Sequence, residues 1–188
     1  GHSLKLANAY PTKFFDAINS GMRSYSALQL AFVTAGIALY TDDDLRDGRA
    51  YSADFTTGVF HTVPKVSVAP LYSLRECGRM LARKAQQHSL VLFDHWLSDL
   101  IGHRGTMDEA ARLLERFDEV MGGIMDEWDM DDGLALVTSD HGNIEDMSSR
   151  HHTLNLVPTL LIGSSHARLS DEINDLTNLA PVITEYLS

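Results

Sequence analysis

Apolar residues fall along this chain in two rhythms. Short contiguous runs at Leu4 to Tyr10, Ser89 to Asp94, Leu134 to Thr138 and Val157 to Ile162 read as strands. Three- and four-residue spacings read as helices packed by one face. Leu74, Cys77, Leu81 and Ala85 mark one helix running to about Gln87. Ala110, Leu114, Phe117, Met121, Ile124 and Trp128 mark a longer one, whose stripe is core packing. Ser26 to Tyr40 is apolar on most sides and predicts another helix, Phe14 to Ser20 one or two helical turns closed by Gly21, and Leu176 to Leu187 a terminal helix with Pro181 in its first turn or ending a preceding one. Ser73-Leu74-Arg75-Glu76 and Thr106-Met107-Asp108-Glu109 have the form of capping boxes. Helices alternating with short strands predict an α/β fold, a mostly parallel sheet with helices on both faces.

Between residues 11 and 70 that alternation is missing. Asp42-Asp43-Asp44 lacks the Asp-x-Asp-x-Asp spacing and later Glu of a calcium loop, so it is expected to place negative charge at a helix N-terminus. Arg49 to Val68 reads as irregular. The chain therefore divides into an N-terminal part, 1–70, with a peripheral or cap-like segment, and a C-terminal α/β core, 71–188.

With 188 residues and 44% hydrophobic side chains, the chain can bury a core. A formal net charge of −11 argues against nucleic acid or an anionic membrane as partner. Cys77 is the single cysteine, so no internal disulfide forms. No apolar run approaches the roughly 18 residues of a membrane span. These features point to a cytoplasmic protein, although the absence of an initiator Met reads as a chain that lacks its native N-terminus.

The candidate chemistry gathers after the third strand, at Val137-Thr138-Ser139-Asp140-His141-Gly142-Asn143. Ligands in open α/β sheets bind outside the carboxyl ends of strands, and Gly142 lets the backbone turn closely around an ion. The plainer alternative makes Asp140 the N-cap of a helix over Asn143 to Met147. Asp99 and His103 stand four apart, on one face if their segment is helical. His151 and His152 are adjacent, so one of them faces a shared centre if the segment is extended. Asp99, His103, Asp140, His141 and His152 together offer two carboxylates and three imidazoles, a set suited to zinc, manganese or iron. Arg104 and Arg150 flank them as candidate phosphate-binding groups. Asp94 and His95 are placed to orient a ligand or border the site, whereas His61, His88 and His166 lie in linker contexts and Ser24 and Ser26 precede a helix they are expected to cap.

The order Asp99-x-x-Gly102-His103, Thr138-Ser139-Asp140-His141-Gly142-Asn143 and His152-Thr153-x-x-x-Val157-Pro158 resembles the alkaline phosphatase superfamily, nearest to its cofactor-independent phosphoglycerate mutase and phosphopentomutase branches. The resemblance covers about residues 89–188. It implies two divalent metals, zinc or manganese, a small phosphorylated substrate or another tetrahedral anion, and phosphoryl transfer or phosphate-ester hydrolysis. By position, Asp99, His103 and His152 resemble the ligands of one metal, and Asp140 with His141 part of a second site. The family's N-terminal Asp ligand and Ser or Thr nucleophile have no counterpart here, so no nucleophile is assigned. A sulfatase-like hydrolase and a non-catalytic metal-binding module are the competing readings, with a purely structural α/β domain behind them.

Overall fold

A computed structural model describes residues 2–58 and 71–188. The expected boundary at residue 70, and the irregular segment beyond residue 58, lie outside the described residues. The chain forms two compact units: residues 1–97 with 116–125, and residues 98–115 with 126–188.

In the first unit, β1 (Leu4–Leu6) pairs in parallel with β4 (Leu90–Leu92), Leu4 opposite Leu90 and Leu6 opposite Leu92. The expected strand from Leu4 to Tyr10 is interrupted at Ala7, after which Asn8 forms a parallel bridge to Tyr51. The Asn8 side chain is fully buried, its amide donates to the Asp94 carbonyl, and its carbonyl accepts from the Asp94 N–H, both at 2.8 Å. Beyond the break, β2 (Ala9–Tyr10) pairs in parallel with β3 (Tyr40–Thr41).

Helix α1 spans Thr12–Asn19, and α2 spans Ala27–Thr34 with the expected Ser26 cap, closed into a reciprocal box by Gln29. The helix expected to reach Tyr40 stops six residues short, because Gly36 takes φ 75° and turns the chain toward β3. Phe14 and Phe32 from these helices join Leu6, Tyr10 and Leu39 in one buried cluster. Helix α3 (Asp42–Arg46) places the three aspartates in its first turn, where the helix dipole favours them.

Helix α4 (Leu74–Ala85) is capped by Ser73, whose Oγ accepts from Glu76 N, but only this half of the expected box forms. The Glu76 carboxylate turns instead to Arg79 and Arg83. Residues 116–125 of α6 (Met107–Glu127) cross α4 so closely that a Cβ on Gly78 would lie 2.0 Å from the Val120 carbonyl oxygen. Phe55, Leu74, Cys77 and Val120 are buried there, with Phe93, Phe117 and Ile124 against them.

The second unit contains α5 (Leu97–Arg104) from Ser98 onward, the start of α6, and an antiparallel pair, β5 (Leu134–Thr138) with β6 (Thr159–Gly163). This pairing corrects the parallel expectation for these strands. Parallel strands need a crossover, usually helical, whereas residues 139–158 form only bends, turns and extended chain. Both strands are only partly buried: every β5 residue is half-buried and Leu160 of β6 is exposed. Gly163 is required where it sits, since at φ 108° its Cβ would lie 2.1 Å from the Gly133 carbonyl oxygen. Helix α6 opens on the complete Thr106–Glu109 box, but its buried stripe runs through Ala110, Leu113 and Val120 and leaves Leu114 exposed. The chain closes with α7 (His166–Ser170), a 3-10 turn (Leu176–Asn178) and α8 (Leu179–Tyr186), which holds Pro181 in its first turn. No helix among the described residues is long and apolar enough to cross a membrane.

Candidate metal centre

Helix α5 carries Asp99 in its first turn and His103 in its last, so a carboxylate and an imidazole share one face at ends whose dipole suits each. Just beyond the helix, Arg150 Nη1 donates to the Gly105 carbonyl at 2.6 Å. The Arg150 carbonyl in turn accepts from His103 Nδ1, also at 2.6 Å. Because a carbonyl can only accept, His103 Nδ1 carries a proton, and in the neutral ring Nε2 is left with the lone pair. That lone pair faces His152 Nε2 at 3.0 Å and Asp99 Oδ1 at 3.2 Å.

His152 reaches this point through the 139–158 connection. Thr153 N donates to the Gly142 carbonyl at 2.9 Å, forming an antiparallel bridge that lays the His152 segment beside the Asp140-His141-Gly142 turn. The side chains pack tightly over it: a Cβ on Gly142 would lie 2.2 Å from Thr153 Oγ1. The His141 and His152 rings consequently stack, with centroids 3.6 Å apart and planes at 18°. His152 Nε2 lies 3.1 Å from Asp99 Oδ1 and His141 Nε2 lies 3.8 Å from it. Three imidazoles thus converge on one carboxylate oxygen.

Asp99, His103 and His152 offer ligand atoms all within 4.8 Å of one another. An ion with bonds of about 2.0–2.2 Å spaces neighbouring donors roughly 3.0–3.5 Å apart in octahedral or tetrahedral coordination. The observed 3.0–3.2 Å separations fit that range. His103 also has the backbone-carbonyl partner that metal-bound histidines use to hold their tautomer. A carboxylate with imidazoles suits zinc or manganese better than calcium or magnesium. The residues present therefore fit a transition-metal ion.

Asp140 stands apart. Its side chain is 87% exposed, and its nearest cluster atom is His141 Nε2 at 3.6 Å. It caps no helix, because residues 139–149 form none. His141 Nδ1 is buried and has no hydrogen-bond partner among the described residues. His151 is exposed, with its N–H directed at Ser149 Oγ, so one of the two adjacent histidines joins the cluster. Arg104 is exposed on the last turn of α5.

His95 lies within the first unit, packed among Phe55, Phe93 and Phe117 with Nδ1 3.0 Å from the Ala53 carbonyl. Burial pushes its pKa down. Asp94 is held by Asn8 in the same unit. His88 bonds to Ser3 and His166 to the Gly163 carbonyl, while His61 lies outside the described residues.

Asn143, the last residue of the motif, and Glu145, outside it, complete the centre. Asn143 is 5% exposed, with both amide atoms lacking hydrogen-bond partners, and it lies against Gly102 of α5. A Cβ on Gly102 would fall 1.2 Å from Asn143 Oδ1. Glu145 accepts from Asn143 N at 2.5 Å, from Asn155 Nδ2 at 3.0 Å and from the Thr153 hydroxyl. These bonds, the Thr153 hydroxyl first, hold its carboxyl down at about 2.

Residues 52–188 match the family model described as Metalloenzyme superfamily, a longer stretch than the motifs alone span. The 2,3-bisphosphoglycerate-independent phosphoglycerate mutase of Desulforudis audaxviator is 30% identical over 131 residues, covering 66% of this chain and 26% of the mutase. The corresponding mutase of Thiobacillus denitrificans is 30% identical over 106 residues, 53% of this chain and 20% of the relative. That of Trichodesmium erythraeum is 31% identical over 121 residues, 57% and 23% respectively. The chain thus spans about a quarter of the length of the curated relatives it matches. No solved structure matches it. A family model that covers most of the chain, including every residue of the histidine–carboxylate cluster, places this protein in the metalloenzyme superfamily.

Proposed function

We propose that this chain supplies the metal-binding part of a phosphoryl-transfer enzyme that acts on a small phosphorylated substrate through two divalent ions, zinc or manganese. The convergence of three imidazoles on Asp99 Oδ1, with the His103 tautomer set by the Arg150 carbonyl, carries this reading. Asp99, His103 and His152 would hold one ion, and Asp140 with His141 would contribute to the second. When bound, such ions polarise a phosphoryl oxygen and stabilise charge that develops during in-line displacement.

The chain's own side chains have narrower tasks. His103 presents Nε2 because its other nitrogen is committed to a carbonyl. Arg104, exposed one position after it, offers a planar fork to a phosphate, and Arg150 can present what its bond to Gly105 leaves free. The nearby hydroxyls of Ser139, Ser148 and Thr153 donate to the His141 carbonyl, the Asp146 carboxylate and the Glu145 carboxylate. None of them is assigned as a nucleophile.

The test is turnover by the protein in its longest natural form. Manganese- or zinc-loaded protein should cleave an aryl phosphate faster than an aryl sulfate, lose that activity to a chelator and regain it on adding metal. A preference for the sulfate would favour a sulfatase-like site. Metal-loaded protein that turns over neither ester would leave a non-catalytic metal-binding domain.

A further inference from the structure

The 139–158 connection contains a carboxylate that is not part of the ligand cluster yet touches both arms of the loop that builds it. Glu145 Oε1 accepts from the Thr153 hydroxyl and from Asn155 Nδ2, and Oε2 accepts from the Asn143 amide. Thr153 Oγ1 passes the link on by accepting from Asn155 N at 3.3 Å. Asn143 follows the His141-Gly142 step, and Thr153 follows His152. Glu145 therefore ties the residue two after one histidine to the residue directly after the other.

The close approach of Gly142 fits the same arrangement. A Cβ there would lie 2.6 Å from Glu145 Oε1 as well as against Thr153 Oγ1, so the turn is shaped around the carboxylate. The connection holds no helix or strand of its own between β5 and β6. Without internal hydrogen bonds, a loop of this length would leave His152 free over several ångströms, because each unfixed residue samples more than one backbone basin.

We infer that Glu145 is a positioning residue, a carboxylate clamp that sets the His141–His152 stack and thereby delivers His152 to Asp99 and His103. It acts through Thr153 and the Asn143 amide. Its three accepted bonds commit both carboxylate oxygens to the loop. This inference rests on the metal-site reading of the cluster, but the clamp makes a prediction that does not need metal.

Three variants test it: Glu145→Ala, Thr153→Val and the pair combined. In metal-free protein, stacked rings 3.6 Å apart shift each other's imidazole proton resonances. Glu145→Ala should return the His141 and His152 signals toward ordinary values, and Thr153→Val should move them the same way. In titrations with manganese, and with cobalt as a spectroscopic reporter, each single variant should bind about 10–100-fold more weakly at unchanged stoichiometry. The cobalt absorption should change shape, because His152 is misplaced rather than lost. The double variant should bind no more weakly than Glu145→Ala alone, since both act in one linkage.

Unshifted histidine resonances in Glu145→Ala, or wild-type metal affinity in it, would overturn the clamp. So would additive losses in the pair, or loss of one whole ion per chain, which would make Glu145 a ligand. If wild-type protein binds neither metal while Glu145→Ala still releases the ring-current shift, the metal reading fails and the clamp stands.

Discussion

Gly102→Ala separates the packing at the centre from ordinary helix preference, because the two predict opposite signs. In a helix interior, alanine is favoured over glycine by about 1 kcal/mol. Gly102 lies inside α5, so propensity alone makes the variant more stable. The structure says otherwise. The new methyl would lie 1.2 Å from Asn143 Oδ1 and 2.4 Å from its Cγ, so the Asn143 side chain must leave its buried position or α5 must move away. Overpacking of this kind costs about 1–3 kcal/mol, which leaves a net loss of about 1 kcal/mol. The site suffers more than the fold. Asp99 and His103 sit on either side of Gly102, and a shift of about 1 Å in α5 would spoil the 3.0–3.2 Å spacing to His152. Metal affinity should fall roughly tenfold. Urea unfolding of metal-free protein measures the first effect and calorimetric titration with manganese the second. Adding Asn143→Ala removes the three side-chain atoms that the methyl meets, and breaks no hydrogen bond from that amide. The double variant should therefore recover stability, with a coupling on the order of 1–3 kcal/mol. A Gly102→Ala protein that is more stable than wild type and binds metal equally well would refute the reasoning.

Other expectations follow from individual groups. Gly78→Ala should cost about 2 kcal/mol in denaturant unfolding despite the propensity gain, because its Cβ would strike backbone at Val120 and Ile124 and force two helices apart. Burial, with Asp54 and Glu76 nearby, pushes the Cys77 thiol up to about 12. It should resist a disulfide reagent at pH 8 in the native protein and react at once in urea. The Glu145 carboxyl is held near 2 against an ordinary 4.5, so its stabilising contribution is complete above about 4.5 and disappears as pH falls toward 2. Thermal unfolding across that window should show an acid-dependent component that Glu145→Gln lacks.

The sequence was legible where the physics is local. The Thr106–Glu109 box, the Ser26 cap and the aspartates opening α3 need only neighbouring residues, and each forms. Asp99 and His103 were legible as a pair because four residues make one helical turn. Long-range geometry was not. The first strand is interrupted where its backbone changes partner from Leu92 to Tyr51, and the buried Asn8 beside that point binds the backbone of Asp94, 86 residues away. Gly36 stops α2 because of its own conformation, yet apolar periodicity continues past it. The direction of β6 depends on a connection without a helix, where one had been weighed over Asn143 to Met147. At the site, the apolar run that leads to Asp140 is only half-buried and Asp140 itself is open to solvent. Asn143 stood in the motif without a role, and Glu145 outside it, for a different reason. Neither resembles a metal ligand by spacing, and their partners, Gly102, Thr153 and Asn155, become visible only once the loop has closed.

The central claim is that the cluster binds metal through specific imidazoles, and the adjacent histidines supply the control. Purified chain is loaded with zinc or manganese, dialysed and analysed for bound metal in the wild type and in His103→Ala, His152→Ala and His151→Ala. The cluster predicts at least one ion per chain in the wild type, its loss in the His103 and His152 variants, and its retention in His151→Ala, whose side chain lies outside the cluster. Wild-type protein without metal above background, or a His151 variant as depleted as the His152 variant, would contradict it.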